Sequence, residues 1–254
     1  MEPATPLPAL APIRPIDFAP VDVACDTLPD GGCRLRSRTP LAPHDPSLAR
    51  MFRAAVEARP ERVFLAERAD GGWRKLTYAA CRPIVDAIAA AFIERGLSAQ
   101  RPVMVLSGNG IDHAVLTLAA HTAGVPVAPV SVAYSLQSRD HAKLRHIAAL
   151  LQPGLVYVAD TAPFADALGA LDLTGTAIVA ERNGAALEGV TLLTSLAATR
   201  PGPAVEAAVA SGNADTIAKF LFTSGSTGLP KGVINTHGML TANQHDCHFH
   251  SLYQ

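Results

Sequence analysis

Between residues 103 and 179 the chain alternates short, unbroken apolar runs with longer stretches of helical periodicity, and this rhythm leaves few folds open. Val103-Met104-Val105-Leu106 comes first, then a helical pattern over 110–123, then the run 125–130. A second helix over 138–151 leads to Leu155-Val156-Tyr157-Val158, and a third over 162–170 leads to Ala177-Ile178-Val179. Runs that are apolar at every position suit strands buried on both faces. Strand–helix–strand repetition then predicts an α/β fold, a doubly wound and mostly parallel sheet with helices on each side. At 254 residues and 49% hydrophobic the chain has material for a substantial core.

The flanks read more locally. The first 14 residues are rich in Pro and Ala and are expected to stay unpacked. Residues 20–37 read as a hairpin around Pro29-Asp30-Gly31-Gly32. Ser47 is placed to cap a helix with Leu48, Met51, Phe52, Ala55 and Val56 on one face. Strands over 62–67 and 73–76 flank the turn Asp70-Gly71-Gly72. Thr77 opens a long helix running to Arg95 and ended by Gly96; Pro83 either kinks it or marks its true start. Residues 198–213 read as a loop with a short helix. Residues 114–138 contain no Asp, Glu, Lys or Arg, but Gly124, Pro126 and Pro129 break the run, so helix then strand is expected rather than a membrane span.

Near the C-terminal end lies Phe222-Thr223-Ser224-Gly225-Ser226-Thr227-Gly228-Leu229-Pro230-Lys231-Gly232. An apolar strand over 217–222 precedes it and a shorter one over 232–235 follows. Gly225 and Gly228 allow backbone N–H groups to converge on one concavity. Thr223, Ser224, Ser226 and Thr227 add rotatable donors, and Lys231 puts a positive charge at the rim. Such a loop suits a polyphosphate. It is not a Walker A loop: counted from Gly225, the sixth position is Pro230 rather than Gly, and Gly232 stands where Ser or Thr is required.

The segment Thr223–Gly232 resembles the signature of the AMP-forming adenylating enzymes, which include acyl- and aryl-CoA synthetases, peptide-synthetase adenylation domains and luciferases. Trp73, Leu76, Thr77 and Tyr78 match an early segment of that family, and 103–130 is similar to its first crossover. Ser107-Gly108-Asn109-Gly110, Ala133-Tyr134-Ser135-Leu136, Asn235-Thr236-His237 and Ala242-Asn243-Gln244 look most like feruloyl-CoA synthetases. The resemblance implies that residues 15–244 are an incomplete N-terminal part of the large adenylating domain. It implies that Thr223, Ser224, Gly225, Ser226, Thr227, Gly228 and Lys231 contact ATP. The implied parent is a ligase using ATP, Mg²⁺ and CoA to activate a carboxylic acid, such as a hydroxycinnamate, through an acyl-adenylate. The family's adenine, ribose and catalytic-lysine segments are not found here, so no catalytic residue is assigned and this polypeptide alone is expected not to turn over. An amino-acid-adenylating domain and a non-catalytic nucleotide-binding module are the alternatives. Residues 245–254 depart from the family pattern and are expected to be foreign sequence, from a frameshift or a truncated gene.

Charge excludes other classes. A net charge of −1 with no basic stripe argues against nucleic acid. Cys25, Cys33, Cys81 and Cys247 have no C-x-x-C spacing, and no signal peptide is evident, so free thiols in the cytoplasm are expected, although Cys25 and Cys33 could face each other across their hairpin. His245, Cys247, His248 and His250 fit no finger spacing and are not read as a metal site. His141, Lys143, Arg145 and His146 read as a solvated helix face. His237, close behind the loop at a helix start, could approach a ligand or be structural, and Asp112 and His113, adjacent on a helix, do not face each other.

Overall fold

The computed structural model describes residues 22–41, 43–223 and 228–249, the side chains of 245–249 excepted. The expected unpacked segment 1–14, the residues 250–254 and the side chains of His245, Cys247 and His248 lie outside the described residues. The chain divides into two units, one of residues His44–Thr241, the other of what precedes and follows it.

In the second of these, β1 (Val23–Thr27) and β2 (Cys33–Ser37) form an antiparallel hairpin. Its turn is closed by the Asp30 carboxylate, which accepts the Gly32 N–H at 2.9 Å, with Gly31 at φ +84°. Cys25 pairs with Leu35 and Cys33 with Thr27, so the two cysteines share a face but sit diagonally, not opposite. Both are exposed and free.

The larger unit begins with α1 (Leu48–Ala58), capped by Ser47, whose hydroxyl accepts from Arg50 N–H. A hairpin of β3 (Val63–Ala69) and β4 (Gly72–Thr77) follows. The long helix is α2 (Tyr78–Glu94), with Thr77 accepting the Ala80 N–H. It starts at Tyr78 and runs through Pro83. The Ala79 N–H finds the Pro60 carbonyl at 2.9 Å, so the first turn is anchored upstream of the proline. Gly96, at φ +64°, ends the helix: its N–H bonds Ile93 and that of Leu97 bonds Phe92, a Schellman arrangement.

Then come β5 (Val103–Val105), α3 (Ile111–Thr122), β6 (Val127–Pro129), α4 (Ala133–Leu136), α5 (Ala142–Leu151), β7 (Leu155–Asp160), α6 (Thr161–Gly169), β8 (Ala177–Arg182), β9 (Val190–Leu192), α7 (Leu193–Ala197), α8 (Pro203–Ser211), β10 (Ile217–Thr223), β11 (Lys231–Thr236) and α9 (His237–Phe249). The sheet has seven strands in the order β11-β10-β6-β5-β7-β8-β9, parallel throughout except for the β10–β11 pair. The chain leaves β5 one way to β6, then crosses back to β7, which puts the connecting helices on opposite faces. The expected mostly parallel α/β sheet is what forms.

Alternation along each strand builds two cores. Val103, Val105, Val127, Leu155, Tyr157 and Val179 pack with α2 and α3 through Val85, Ile88, Phe92, Val115 and Leu116. Met104, Ala128, Val156, Val158 and Ala180 pack on the other face with Leu144 and Ile147 of α5 and Phe164 and Leu168 of α6. Each large side chain so buried contributes about 1.5–3 kcal/mol. The β9–α7 segment is not legible in the sequence, because a strand of three residues leaves no periodicity to read.

Candidate functional site: a clasped loop at the carboxyl edge of the sheet

β10 runs parallel to β6, so it ends at the same rim as the carboxyl ends of the central strands. Chains of this architecture present ligand sites at that rim. β11 then returns antiparallel, in register from Phe220↔Ile234 through Phe222↔Gly232 to Thr223↔Lys231. Thr223 and Lys231 therefore face each other at the mouth of the loop, both exposed and on the α3 side of the sheet. Ser224, Gly225, Ser226 and Thr227, the middle of the expected phosphate cradle, lie outside the described residues. Gly228 and Leu229 form a bend, and Pro230 is buried.

The buried proline has a reason. His146, on α5, places Nε2 at 3.2 Å from the Pro230 carbonyl. A carbonyl only accepts, so the proton of that contact belongs to Nε2. One turn on, Leu150 approaches Gly232, where an added Cβ would lie 3.3 Å from Phe222 Cε1. Leu150, Leu151, Phe220, Phe222 and Ile234 line a groove of about 380 Å³ on this side. The expectation of a solvated helix face holds for Lys143 and Arg145 and fails for both histidines. His146 is half-buried against the loop exit. His141 is buried at φ +49°, with Nδ1 3.3 Å from the Tyr134 carbonyl, because it stands at the N-terminus of α5 rather than on an exposed helical turn.

On the opposite face the helix ends meet. His237 is buried, which favours the structural of its two expected placements. Its N–H donates to the Thr216 carbonyl and its Nδ1 accepts the Leu48 N–H at 3.3 Å, a donor at the start of α1 that the helix itself leaves unpaired. His121 meets it edge-on, ring centres 5.2 Å apart, and neither His121 nitrogen has a hydrogen-bond partner among the described residues. Burial lowers the His121 pKa to about 3, with His237 and Lys219 adding to the effect. The Ala218 carbonyl pulls weakly the other way without meeting hydrogen-bond geometry. Burial likewise takes His237 to about 4.

At the mouth of α3, Arg74 bridges Asp112 and Glu67. Nη2 lies 3.0 Å from Asp112 Oδ1, and Nη1 lies 3.0 Å from Glu67 Oε1. The other Glu67 oxygen accepts the Ile111 N–H at 2.8 Å and so caps α3. Asp112 and His113 indeed work separately: Asp112 binds Arg74, and His113 Nδ1 contacts the Gly108 carbonyl at 3.1 Å. Among the described residues no His, Cys, Asp and Glu cluster gathers as a metal site, and no helix is long and apolar enough to cross a membrane.

The seven-stranded sheet, with the hairpin mouth of Thr223 and Lys231 at its carboxyl rim, makes this an open, doubly wound α/β protein. Residues 52–253 match the family model for AMP-binding enzymes, and the chain belongs to that family. It is 27% identical over 192 residues to the probable non-canonical nonribosomal peptide synthetase CymA of Salinispora arenicola (strain CNS-205), covering 76% of this chain and 2% of that protein. Among solved structures it resembles a benzoate CoA ligase from Burkholderia xenovorans LB400, with TM-score 0.59, 20% identity and coverage of 76% and 35% of the two chains. It also resembles the fatty acyl-adenylate ligase from L. pneumophila in complex with acyl adenylate and pyrophosphate, with TM-score 0.57, 23% identity and coverage of 78% and 31%. The chain thus spans well under half the length of each of these relatives.

Proposed function

We propose that this chain is the phosphate-binding front part of a ligase that activates a carboxylic acid with ATP. The observation that carries the reading is the loop held between Thr223 and Lys231 at the carboxyl rim of the sheet, in a chain of the AMP-binding family. A carboxylate oxygen attacks the α-phosphorus, an acyl-adenylate forms, and pyrophosphate leaves. Negative charge grows on the departing group, where the loop's N–H groups, the hydroxyls of Thr223, Ser224, Ser226 and Thr227, and the Lys231 ammonium stabilise it. Gly225 and Gly228, lacking a Cβ, would let the backbone turn its N–H groups toward that charge. Mg²⁺ accompanies nucleotide phosphates and would neutralise further charge; among the described residues no carboxylate cluster gathers to hold it.

The second half-reaction passes the acyl group to a thiol and releases AMP. The motifs at 107–110, 133–136 and 235–244 favour CoA as that thiol and a hydroxycinnamate as the acid. The peptide-synthetase relative favours a second reading, an amino acid passed to a carrier-protein thiol. Pyrophosphate release from MgATP, measured with ferulate-type acids and with amino acids, separates the two. The chain alone is expected to bind MgATP without sustained turnover, and turnover well above blank would overturn that. Lys231→Ala is expected to weaken MgATP binding about tenfold, one charge-assisted donor at an exposed rim. Equal binding by wild type and variant would remove Lys231 from the site.

A further inference from the structure

We infer that His146 is a positioning residue for the phosphate loop: its Nε2–H, donated to the Pro230 carbonyl, fixes the backbone from which Lys231 projects. This rests on the nucleotide reading above and adds a residue to it from a different element, 84 positions earlier in the chain.

Three observations converge on it. First, Pro230 has no N–H, so its carbonyl is the polar group this residue has for tying the loop exit to anything. Second, that carbonyl is received by a side chain on α5, whose Leu144, Ile147 and Ala148 are anchored in the core beneath the sheet. The anchor is therefore rigid, while Lys231 itself is exposed and starts the strand. Third, the contact sits on the face opposite Lys231. The peptide after Pro230 is held from the α5 side while the ammonium leaves on the α3 side, which prevents the strand end from rolling and carrying the charge away from the loop mouth. Leu150 supports the same strand one step further along, at Gly232. A strand end held in this way loses less conformational freedom when Lys231 engages an anion.

His146→Leu keeps bulk and removes the donor; His146→Gln returns a donor to about the place of Nε2. The experiment uses the whole chain and inorganic pyrophosphate with Mg²⁺ as probe, titrated calorimetrically, with backbone amide exchange of residues 231–234 read without ligand. The expected result is about fivefold weaker pyrophosphate binding and faster exchange at 231–234 in His146→Leu, with a modestly lower thermal midpoint because the Pro230 carbonyl loses its donor, all three restored in His146→Gln. Binding and exchange unchanged in His146→Leu, or equal losses in the leucine and glutamine variants, would overturn the inference while leaving the nucleotide reading intact. Absence of pyrophosphate and MgATP binding by the wild type would instead sink the nucleotide reading, and the exchange rates would still decide whether His146 holds the strand end.

Discussion

His121 and His237 show how burial sets the behaviour of a titrating group. Both have folded pKa values well below the ordinary 6.5, about 3 and about 4, so the unfolded chain takes up protons that the folded chain refuses. Their contribution to stability is therefore complete above pH 6.5 and declines as pH falls toward those folded values. Urea denaturation at pH 7.5, 6 and 5 is expected to show a loss of about 2 kcal/mol per group by pH 5. A flat profile would mean the imidazoles are hydrated. His121→Leu removes a buried ring with no hydrogen-bond partner among the described residues and is expected to abolish about 2 kcal/mol of the stability loss between pH 7.5 and 5. Cys81 is shaped by the same force: burial pushes its thiol up to about 12, leaving it inert at neutral pH.

Helix α2 is where sequence and structure agree most closely, and it shows why. Thr77 and Gly96 are chemical punctuation, an oxygen for an unpaired N–H and a residue free to take positive φ, and both act locally. Thr77→Ala is expected to cost about 1 kcal/mol, read as a lower thermal midpoint with unchanged folded spectra. Strands β5 to β8 are legible for a similar reason, because burial on both faces writes itself into consecutive residues. What cannot be read depends on residues far apart. Nothing near His146 announces Pro230, and nothing near Glu67 announces the Ile111 N–H that it caps. The capping of α3 by Glu67 also explains why Gly110 serves at its N-terminus without a side chain of its own, since a Cβ there would lie 3.3 Å from the Glu67 carboxylate. Of the proposed site, the loop's ends are legible and its support is not.

Taken as a whole, the larger unit is unevenly finished. Its centre is sealed on both faces, but the β10–β11 hairpin leaves Leu221, Val233 and Ile234 38%, 45% and 54% exposed, and β11 is an edge of the sheet among the described residues. An edge strand that exposes Val233 and Ile234 side by side invites pairing with another chain. The isolated chain is expected to self-associate at micromolar concentration, with light scattering that falls in Ile234→Lys. Monodisperse behaviour of the wild type by sedimentation would contradict this. The passage from α2 to β5 is eight residues long and turns on itself through the Ser98↔Arg101 bridge, whereas four residues, Gly124 and Pro126 among them, take the chain from α3 into β6. Insertions should thus be tolerated at 98–101. At 123–126 they would shift β6 against β10 at Val127↔Lys219 and tilt the ledge on which the loop hangs.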